Sequence, residues 1–536
     1  MKISFSKFLL PFILLLAVNI SVAQKNVAYR ASLKYNTNLS ALWGYTAPDN
    51  KEYAIVGLLT GTSIVDVSNP DNPVELFFIP GPEGIWREMK TFGQYAYITN
   101  EADSGLQIVN LSQLPNNVTW QYWNGGGQLK TAHTIFIDEN GIGYLNGFNN
   151  MASDRLYDDR GFMVIDIAAN PENPTVLGIY ENDYVHDCFV RNDTAWTAEI
   201  SQGWFSVIDV SNKANPVIMA SKETPNRFTH NTALSDDGKT LFTTDERDGS
   251  FVTAYDVSDL ENIKELDRYQ TTFASQVIPH NVRVLGEYLV VAAYKDGIAI
   301  VDATHPDNLI EVGNFDTSPF LSEGGFAGCW EVYPYFPSGT IIASDIEEGL
   351  FVLTPDYKKA AYLEGTVTNA GTGFPIQNAR IEFIGNNWFD FTNISGEYKT
   401  GIADEGNYNV RVFANGCNTK IISNVNMQSG IVATLNIALD CPAFTSVTHH
   451  ALEKNLMMAT PNIFNTSSTL RYELSPSLTN KAEFVITDIS GKHIATFKPE
   501  NINGQMTFGE NLEAGIYFIT LKANEILQTI KAIKTK

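Results

Sequence analysis

Four of the eight histidines stand at equivalent places in the chain, each at the start of a short strand-forming segment. They are His133, His186, His230 and His280. Neutral imidazoles bind divalent ions such as zinc, copper, iron and nickel, and neighbouring carboxylates orient the rings. The pattern therefore predicts a divalent metal site. It also fits two other roles: rings that bond the backbone or an aspartate of a neighbouring repeat, and acid–base catalysis.

Aromatic and acidic residues are expected beside these histidines. Two further repeats place Trp86-Arg87-Glu88 and Cys329-Trp330-Glu331 at the histidine position. Loops expected on the same face carry Glu101, Glu199, Asp245, Glu246, Asp296 and Asp345. From both groups we expect the following residues to contact a ligand: Trp86, Arg87, Glu88, Trp330, Glu331, Glu199 and Asp245. Cys188 and Cys329 fall on inner strands, where buried, inert thiols are expected.

A long loop over residues 146–160 is a second candidate. It carries Asp154, Asp158 and Asp159, and three carboxylates on one loop could hold Ca²⁺. Their spacing fits no EF-hand, so a solvated loop is the alternative. The extra length of the loop also suits contact with a partner.

A repeated segment must position these residues. It has the form Ser63-Ile64-Val65-Asp66-Val67, and its Asp-equivalent positions are 66, 110, 166, 209, 256, 302 and 354. Spacings of 43 to 56 residues, with β-branched segments and no helical periodicity, predict seven units of four strands. The predicted fold is therefore an all-β, seven-bladed propeller over residues 24–357.

Two local features support this layout. Each repeated Asp precedes turn residues such as Ser68-Asn69-Pro70, so we interpret it as a turn cap. The seventh unit lacks an outermost strand, and we expect residues 25–33 to pair with it and close the ring.

Charge and motifs exclude several functions. The net charge is −24, and residues 24–357 hold 45 acidic and 19 basic side chains, so binding to nucleic acid is not expected. The chain has no Gly-x-Ser-x-Gly, no His-Glu-x-x-His and no glycine loop for phosphate.

The first 23 residues have the pattern of a secretory signal. Lys2 and Lys7 precede an apolar run over residues 8–20, and Ser21-Val22-Ala23 supplies small residues for cleavage. We expect a secreted or surface-attached protein without a transmembrane segment in the mature chain.

The repeat resembles the LVIVD-repeat propellers of secreted bacterial proteins over residues 36–355. The whole layout is similar to the choice-of-anchor B family. That resemblance implies display at the cell surface and assigns no chemistry.

Residues 360–441 resemble the carboxypeptidase regulatory-like domain, a prealbumin-like β-sandwich, through Gly365-Thr366-Val367, Gly396-Glu397-Tyr398 and Gly406-Asn407-Tyr408. This implies a spacer or stabilising role without peptidase activity. Cys417 and Cys441 could form a disulfide or remain free thiols.

Residues 442–456 are predicted to be a linker. Residues 457–536 resemble a type IX secretion C-terminal sorting domain, a small β-sandwich, through Pro461-Asn462-Ile463-Phe464, Asp488-Ile489-Ser490-Gly491-Lys492 and the final lysines. This implies that the type IX secretion machinery is a partner. After export the domain would be removed or exchanged for an anchor.

Three functions remain open from the sequence. The first is a binding module whose propeller face engages a glycan, a peptide or a surface protein. The second is a metal-dependent enzyme with a His-lined site on the propeller axis. The third is a purely architectural surface protein. Convergence of the four histidines would keep the second function open.

Overall fold

The computed structural model describes residues 24–150, 161–272, 276–320, 325–386, 389–441, 456–474, 482–489, 491–499, 501–523 and 525–535. Regular structure in these residues is β-strand, in agreement with the predicted all-β class. No helix able to span a bilayer occurs among them. The signal segment, Asp154, Asp158, Asp159 and residues 442–455 of the predicted linker lie outside the described residues.

Seven antiparallel sheets follow one another along the first part of the chain, and sheets 1 to 5 each have four strands in chain order. Sheet 1 comprises Leu39–Thr46, Glu52–Leu58, Gly61–Asp66 and Val74–Pro80. Sheet 2 comprises Met89–Phe92, Tyr95–Ile98, Leu106–Asn110 and Thr119–Trp123. Sheet 3 comprises Thr134–Ile137, Ile142–Asn146, Phe162–Asp166 and Thr175–Tyr180. Sheet 4 comprises Asp187–Arg191, Thr194–Glu199, Trp204–Asp209 and Val217–Glu223.

Sheets 5 to 7 continue the series, and sheets 6 and 7 add N-terminal residues at their edges. Sheet 5 comprises Thr229–Leu234, Thr240–Asp245, Val252–Asp256 and Lys264–Tyr269. Sheet 6 comprises Asn281–Leu285, Tyr288–Ala292, Ile298–Asp302 and Ile310–Phe315, with Gln24–Lys25 as a fifth strand. Sheet 7 comprises Cys329–Tyr333, Ile341–Asp345, Gly349–Pro355 and, at its edge, Val27–Leu33.

The first strands of neighbouring sheets contact one another in cyclic order, and sheet 7 contacts sheet 1. We call this arrangement the sheet ring. Its apolar side chains pack between adjacent sheets; for example, Ile108 of sheet 2 lies in one buried cluster with Ile135 and Met163 of sheet 3. Because the first strands contact one another in a closed cycle, they surround a common axis.

The predicted pairing of the N-terminal segment with the last sheet is confirmed for Val27–Leu33, which pairs antiparallel with Gly349–Pro355. The prediction is wrong for Lys25, since Gln24–Lys25 pairs with sheet 6. Asn26 separates the two strands in a left-handed conformation (φ 52°), and its Nδ2 donates to the Val312 carbonyl at 2.6 Å. The N-terminal segment therefore joins two neighbouring sheets rather than one.

The interpretation of the repeated Asp as a turn cap is confirmed. Asp66 Oδ1 accepts from the Ser68 amide at 2.9 Å, and Asp209 Oδ1 accepts from the Ser211 amide at 2.8 Å. Asn110, which replaces Asp in the second unit, accepts in the same way from the Ser112 amide at 3.0 Å. The repeat therefore preserves an acceptor two residues before a turn amide.

A second domain, a two-sheet sandwich, follows the sheet ring in the same compact unit, residues 1–441. One sheet comprises Ala361–Asn369, Glu397–Ile402, Val432–Thr434 and Ile437–Leu439. The other comprises Arg380–Phe383, Phe389–Phe391, Gly406–Phe413 and Lys420–Met427. A disulfide joins Cys417 and Cys441.

The sandwich packs directly on sheet 6. Ile310 and Val312 of sheet 6 share a buried cluster with Tyr362 and Ala403 of the sandwich. The Ala360 amide donates to Asp302 Oδ2 at 2.8 Å, so the repeat Asp of the sixth unit also anchors the following domain.

The second compact unit, residues 442–536, contains two further sheets. One comprises Leu456–Thr460, Ser468–Glu473 and Asn503–Phe508. The other comprises Ile463–Phe464, Glu483–Asp488, His493–Phe497, Gly515–Ala523 and Glu525–Lys534. Phe484, Ile519 and Leu521 lie in its buried core.

Candidate functional site

The four histidines of the repeat converge at one end of the ring axis. Adjacent ring centroids are 4.1 Å apart for His133 and His186, 4.3 Å for His186 and His230, and 4.2 Å for His230 and His280. We call these four side chains the imidazole arc. Each ring comes from the start of a first strand, in sheets 3 to 6, so the ring closure brings them together.

Three of the four rings, those of His186, His230 and His280, each use one nitrogen to bond the neighbouring sheet. His186 Nδ1 bonds the His230 carbonyl at 3.3 Å, and His230 Nδ1 bonds the His280 carbonyl at 3.1 Å. His280 Nδ1 bonds the Trp330 carbonyl. A carbonyl oxygen only accepts, so Nδ1 carries the proton in all three rings. In the neutral ring, Nε2 is then left with a free lone pair.

Burial keeps these three rings neutral. It lowers the pKa of His186 and His230 well below the usual value, and the neighbouring imidazoles lower it further. Burial also lowers the pKa of His280, against the opposing charge of Glu246. His133 differs: burial acts to lower its pKa, but the hydrogen bond and charge of Glu101 outweigh it, and the pKa is raised. His133 is therefore the ring that most readily carries charge.

The Glu246 carboxylate lies next to the rings of His230 and His280. Its Oε2 lies 3.8 Å from His230 Nε2, and its Oε1 lies 3.6 Å from His280 Nε2. Ligand atoms of these three residues all fall within 4.8 Å of one another, so the group could hold a metal ion. Of the four histidines predicted as metal ligands, His230 and His280 lie next to Glu246, whereas His133 bonds Glu101.

Tyr294 holds this carboxylate in place. Its hydroxyl donates to Glu246 Oε1 at 2.6 Å, and its ring lies 4.7 Å from that of His280. Tyr294 has a positive φ of 37°, a conformation that costs free energy for an aromatic residue. Reciprocal backbone bonds with Cys329 stabilise it, and a Cβ on Gly328 would lie 2.4 Å from the Tyr294 carbonyl oxygen. Glycine at 328 therefore permits this approach.

A second layer of side chains lies one residue further along the first strands. We call it the polar layer; it comprises Glu88, Asp187, Asn231, Asn281 and Glu331. Its members bond across sheets: Asn231 Nδ2 donates to Asp187, and Asn281 Nδ2 donates to Glu331 at 3.0 Å.

Two of the three carboxylates of the polar layer pair with cations. Arg283 pairs with the fully buried Glu331, and Lys90 pairs with Glu88. Burial raises the pKa of Glu88 to about 7, and the charges of Glu331 and Asp187 add to this, while Lys90 and Arg283 oppose it.

A cavity of about 480 Å³ opens above the imidazole arc. All four histidines line it together with four of the predicted ligand residues, Trp86, Arg87, Glu88 and Trp330. Trp86 is 43% exposed and Phe326 is 57% exposed, so aromatic faces are available to a ligand at the cavity. Arg87 is held by the Leu58 and Pro82 carbonyls and keeps less freedom for a ligand.

Three other predicted ligand residues do not line the cavity. The Glu331 carboxylate accepts hydrogen bonds from Arg283 and Asn281. Glu199 is buried and accepts from Thr197 and the Trp204 indole. Asp245 is buried and accepts from the amides of Asn226 and Phe228 at 2.9 Å. Each carboxylate accepts hydrogen bonds from polar groups of the protein, and those of Glu331 come from the neighbouring sheet 6.

Two further loop carboxylates have hydrogen-bond donors within the protein, and the two free cysteines are buried. Asp345 accepts from Thr317 and Ser318, and Asp296 accepts from Thr272 at 2.8 Å. Cys188 and Cys329 are free and buried, as expected, and burial raises the pKa of both thiols well above the usual value.

Sequence reasoning did not select Tyr294, Phe326 or Glu347, which line the same cavity. Tyr294 lies just beyond the second strand of sheet 6, where the other units carry their loop carboxylates. This position of Tyr294 could have been recognised from the sequence, but the search there was for carboxylates and Tyr294 is aromatic. Phe326 and Glu347 occupy loops that follow no repeat pattern.

Comparison with known proteins agrees with two parts of this architecture. The LVIVD repeat matches residues 51–79, 157–182, 200–224 and 279–317, and the carboxypeptidase regulatory-like domain matches residues 362–440. Comparison with the curated proteins gives no match. Among solved structures, the Cps50 (Swd1) beta-propeller domain of Myceliophteria thermophila has a TM-score of 0.41 at 13% identity and covers 61% of this chain and 99% of that chain. The chain carries LVIVD repeats followed by a carboxypeptidase regulatory-like domain.

Proposed function

We propose that this protein is a surface-displayed binding module in which the seven sheets form a seven-bladed propeller and the axial cavity binds a saccharide. The observation that carries this proposal is the cavity itself. It combines exposed aromatic faces, Trp86 and Phe326, with the carboxylates of Glu88, Asp187 and Glu246 at its wall. Concave sites of a few hundred Å³ with a few convergent polar groups are typical ligand sites.

A saccharide fits this combination of surfaces better than a nucleotide or another anion. The C–H face of a sugar ring packs on an aromatic side chain, and its hydroxyls donate to carboxylates in charge-assisted hydrogen bonds. An anionic ligand would meet the acidic wall and the strongly negative sheet ring. A peptide is the alternative ligand, and basic side chains would let it use the same carboxylates.

The direct test is a screen of the full chain against glycan and peptide libraries, followed by calorimetry on the best ligand. Trp86→Ala is expected to weaken saccharide binding at least tenfold, because it removes the exposed ring at the cavity. Trp120→Ala is a matched control, since Trp120 is 42% exposed on the outer strand of sheet 2 and does not line the cavity. Equal affinity of both variants, or selection of peptides alone, would contradict the saccharide proposal.

A metal-dependent enzyme at the same cavity is the second candidate, and the convergence of the imidazole arc favours it. Turnover distinguishes it from a binding module. The ligand selected in the screen is incubated with the full chain in the presence of Zn²⁺, and products are measured by mass spectrometry. Unchanged ligand leaves binding as the function, whereas product formed by the wild type and lost in Glu246→Gln would establish catalysis.

Export and attachment are part of the same proposal. Residues 1–23 would direct secretion, residues 457–536 would act as a type IX sorting domain, and the layout would be that of the choice-of-anchor B family. Supporting features are the basic and apolar start of the chain and the turn, glycine and lysine pattern at its end. In a bacterium with type IX secretion, the full chain should reach the cell surface. A chain that ends at Cys441 should remain periplasmic, and its surface display would contradict this role for residues 457–536.

A further inference from the structure

The geometry points to a divalent transition-metal site formed by His230 Nε2, His280 Nε2 and the Glu246 carboxylate, with an open coordination position facing the axial cavity. This inference deepens the proposed function, since the ion would lie in the wall of the cavity to which a ligand is assigned. It depends on the different surroundings of the two nitrogens in the rings of His230 and His280. Nδ1 bonds a backbone carbonyl, and Nε2 faces Glu246.

In both histidines the Nε2 atom is available to bind a metal ion. The Nδ1 atoms of His230 and His280 are committed to carbonyls of the next sheet, so both rings have fixed orientations and a fixed tautomer. Such a hydrogen bond on the far nitrogen is the usual support of a metal-binding histidine. The framework role and the metal role are therefore compatible, because they use different nitrogens.

The distances fit an ion shared by the three side chains. The Nε2–O separations of 3.6 and 3.8 Å exceed the length of a hydrogen bond. Two ligands at about 2.0–2.2 Å from one tetrahedral ion lie about 3.4 Å apart. The two observed separations exceed that value by a few tenths of an ångström and involve different Glu246 oxygens. All three ligand atoms lie within 4.8 Å of one another, so side-chain rotations would bring both Nε2 atoms and one Glu246 oxygen around the ion.

The donor set indicates the class of ion. Two imidazoles and one carboxylate favour zinc and its neighbours over calcium or magnesium, which prefer oxygen ligands throughout. Three protein ligands leave one position for water or for a ligand oxygen. This position faces the cavity, because all three residues line it.

Tyr294 acts as a positioning residue for the site. It donates to the same Glu246 oxygen that lies nearest His280, and its backbone is held to the next sheet by two hydrogen bonds. The hydroxyl therefore fixes the carboxylate in the orientation that the two Nε2 atoms require.

The test is zinc titration by calorimetry of the full chain after dialysis against a chelator, with visible spectra of the cobalt-substituted protein. One ion per chain is expected. His230→Asn and His280→Asn place an amide Nδ2 where Nδ1 stood, so they keep a donor to the next sheet and remove Nε2. Each is expected to weaken zinc affinity at least a hundredfold. Tyr294→Phe is expected to weaken it 10- to 100-fold and to change the cobalt spectrum.

The control is His493→Gln, which alters an exposed histidine of the second unit and should leave the stoichiometry and affinity of the axial site unchanged. Absence of stoichiometric binding by the wild type would overturn the inference, as would equal affinity of the Asn variants. Saccharide binding measured in chelator separates the two proposals. If it persists while zinc binding fails, only the metal site is lost; if zinc binds and no saccharide does, the proposed function is lost.

Discussion

The imidazole arc and the polar layer lie one residue apart on the same strands, yet they use their polar atoms differently. In the polar layer, Asn281 and Arg283 direct their donors to Glu331, inside the protein. In the arc, His230 and His280 use one nitrogen for the fold and turn the other toward Glu246 and the cavity. Glu331 and its partners thus stabilise the ring, whereas the imidazole arc, together with Glu88 and Asp187 of the polar layer, lines the cavity.

This difference explains why repetition alone does not identify function. A residue that recurs in several units can serve the framework through one atom and a ligand through another. The informative measure is whether the second atom already has a partner within the protein. By that measure Glu331, Glu199 and Asp245 already have partners within the protein, and the imidazole arc is the candidate binding layer.

The largest effect on stability is expected from Arg283→Met. This substitution leaves Glu331 buried without its counter-ion, and breaking a buried pair in this way costs about 3–5 kcal/mol of unfolding free energy. Denaturant unfolding measures the loss. Lys34→Met, which breaks an exposed pair with Glu348, should cost less than about 1 kcal/mol. Equal losses in the two variants would remove the distinction between the polar layer and ordinary surface charge.

Dependence of stability on pH should also come from the polar layer. Burial raises the pKa of Glu88 to about 7, above its unfolded value near 4.5, so the folded protein holds a proton that the unfolded chain releases. This contribution is present below pH 4.5 and is lost as the pH rises toward 7, by up to about 1.4 kcal/mol per pH unit. Glu88→Gln should remove that slope.

The check is the difference in unfolding free energy between wild type and Glu88→Gln, measured in chelator at several pH values between 4.5 and 7. The difference isolates Glu88 from the other carboxylates, which titrate in both proteins. Parallel curves would show that Glu88 does not titrate in this range.

The smallest effect is expected from Thr134→Val. The Thr134 hydroxyl donates to the His186 carbonyl at 2.8 Å and so joins sheets 3 and 4 next to the arc. Its removal should cost about 1 kcal/mol in unfolding free energy, the net value of a typical hydrogen bond. Zinc affinity measured by calorimetry should stay unchanged; a large change would mean that this hydrogen bond also positions the metal ligands.

Sequence patterns were sufficient for the parts of the fold that repeat. The spacing of Asp66 and its equivalents predicted the order of strands, the turn caps and the missing edge strand that residues 27–33 supply. The shared position of the histidines predicted their convergence, because equivalent strands of a closed ring meet at its axis.

The parts that repetition does not govern could not be predicted. Six loop carboxylates were candidates in the sequence, and only the three-dimensional paths of the loops bring Glu246 to two Nε2 atoms while turning Glu199 and Asp245 inward. The backbone conformation of Tyr294 depends on its close approach to Gly328, which lies in the next sheet connection. Pairing of Gln24–Lys25 with sheet 6 depends on the turn at Asn26.

The central claim is that the imidazole arc is a binding layer. Anomalous diffraction at the zinc edge from crystals of the full chain grown with Zn²⁺ tests it most directly. A peak on the ring axis, at about 2.0–2.2 Å from His230 Nε2, His280 Nε2 and a Glu246 oxygen, is the predicted result. Zinc found only at exposed carboxylates, with the axial residues in their present positions, would contradict the claim.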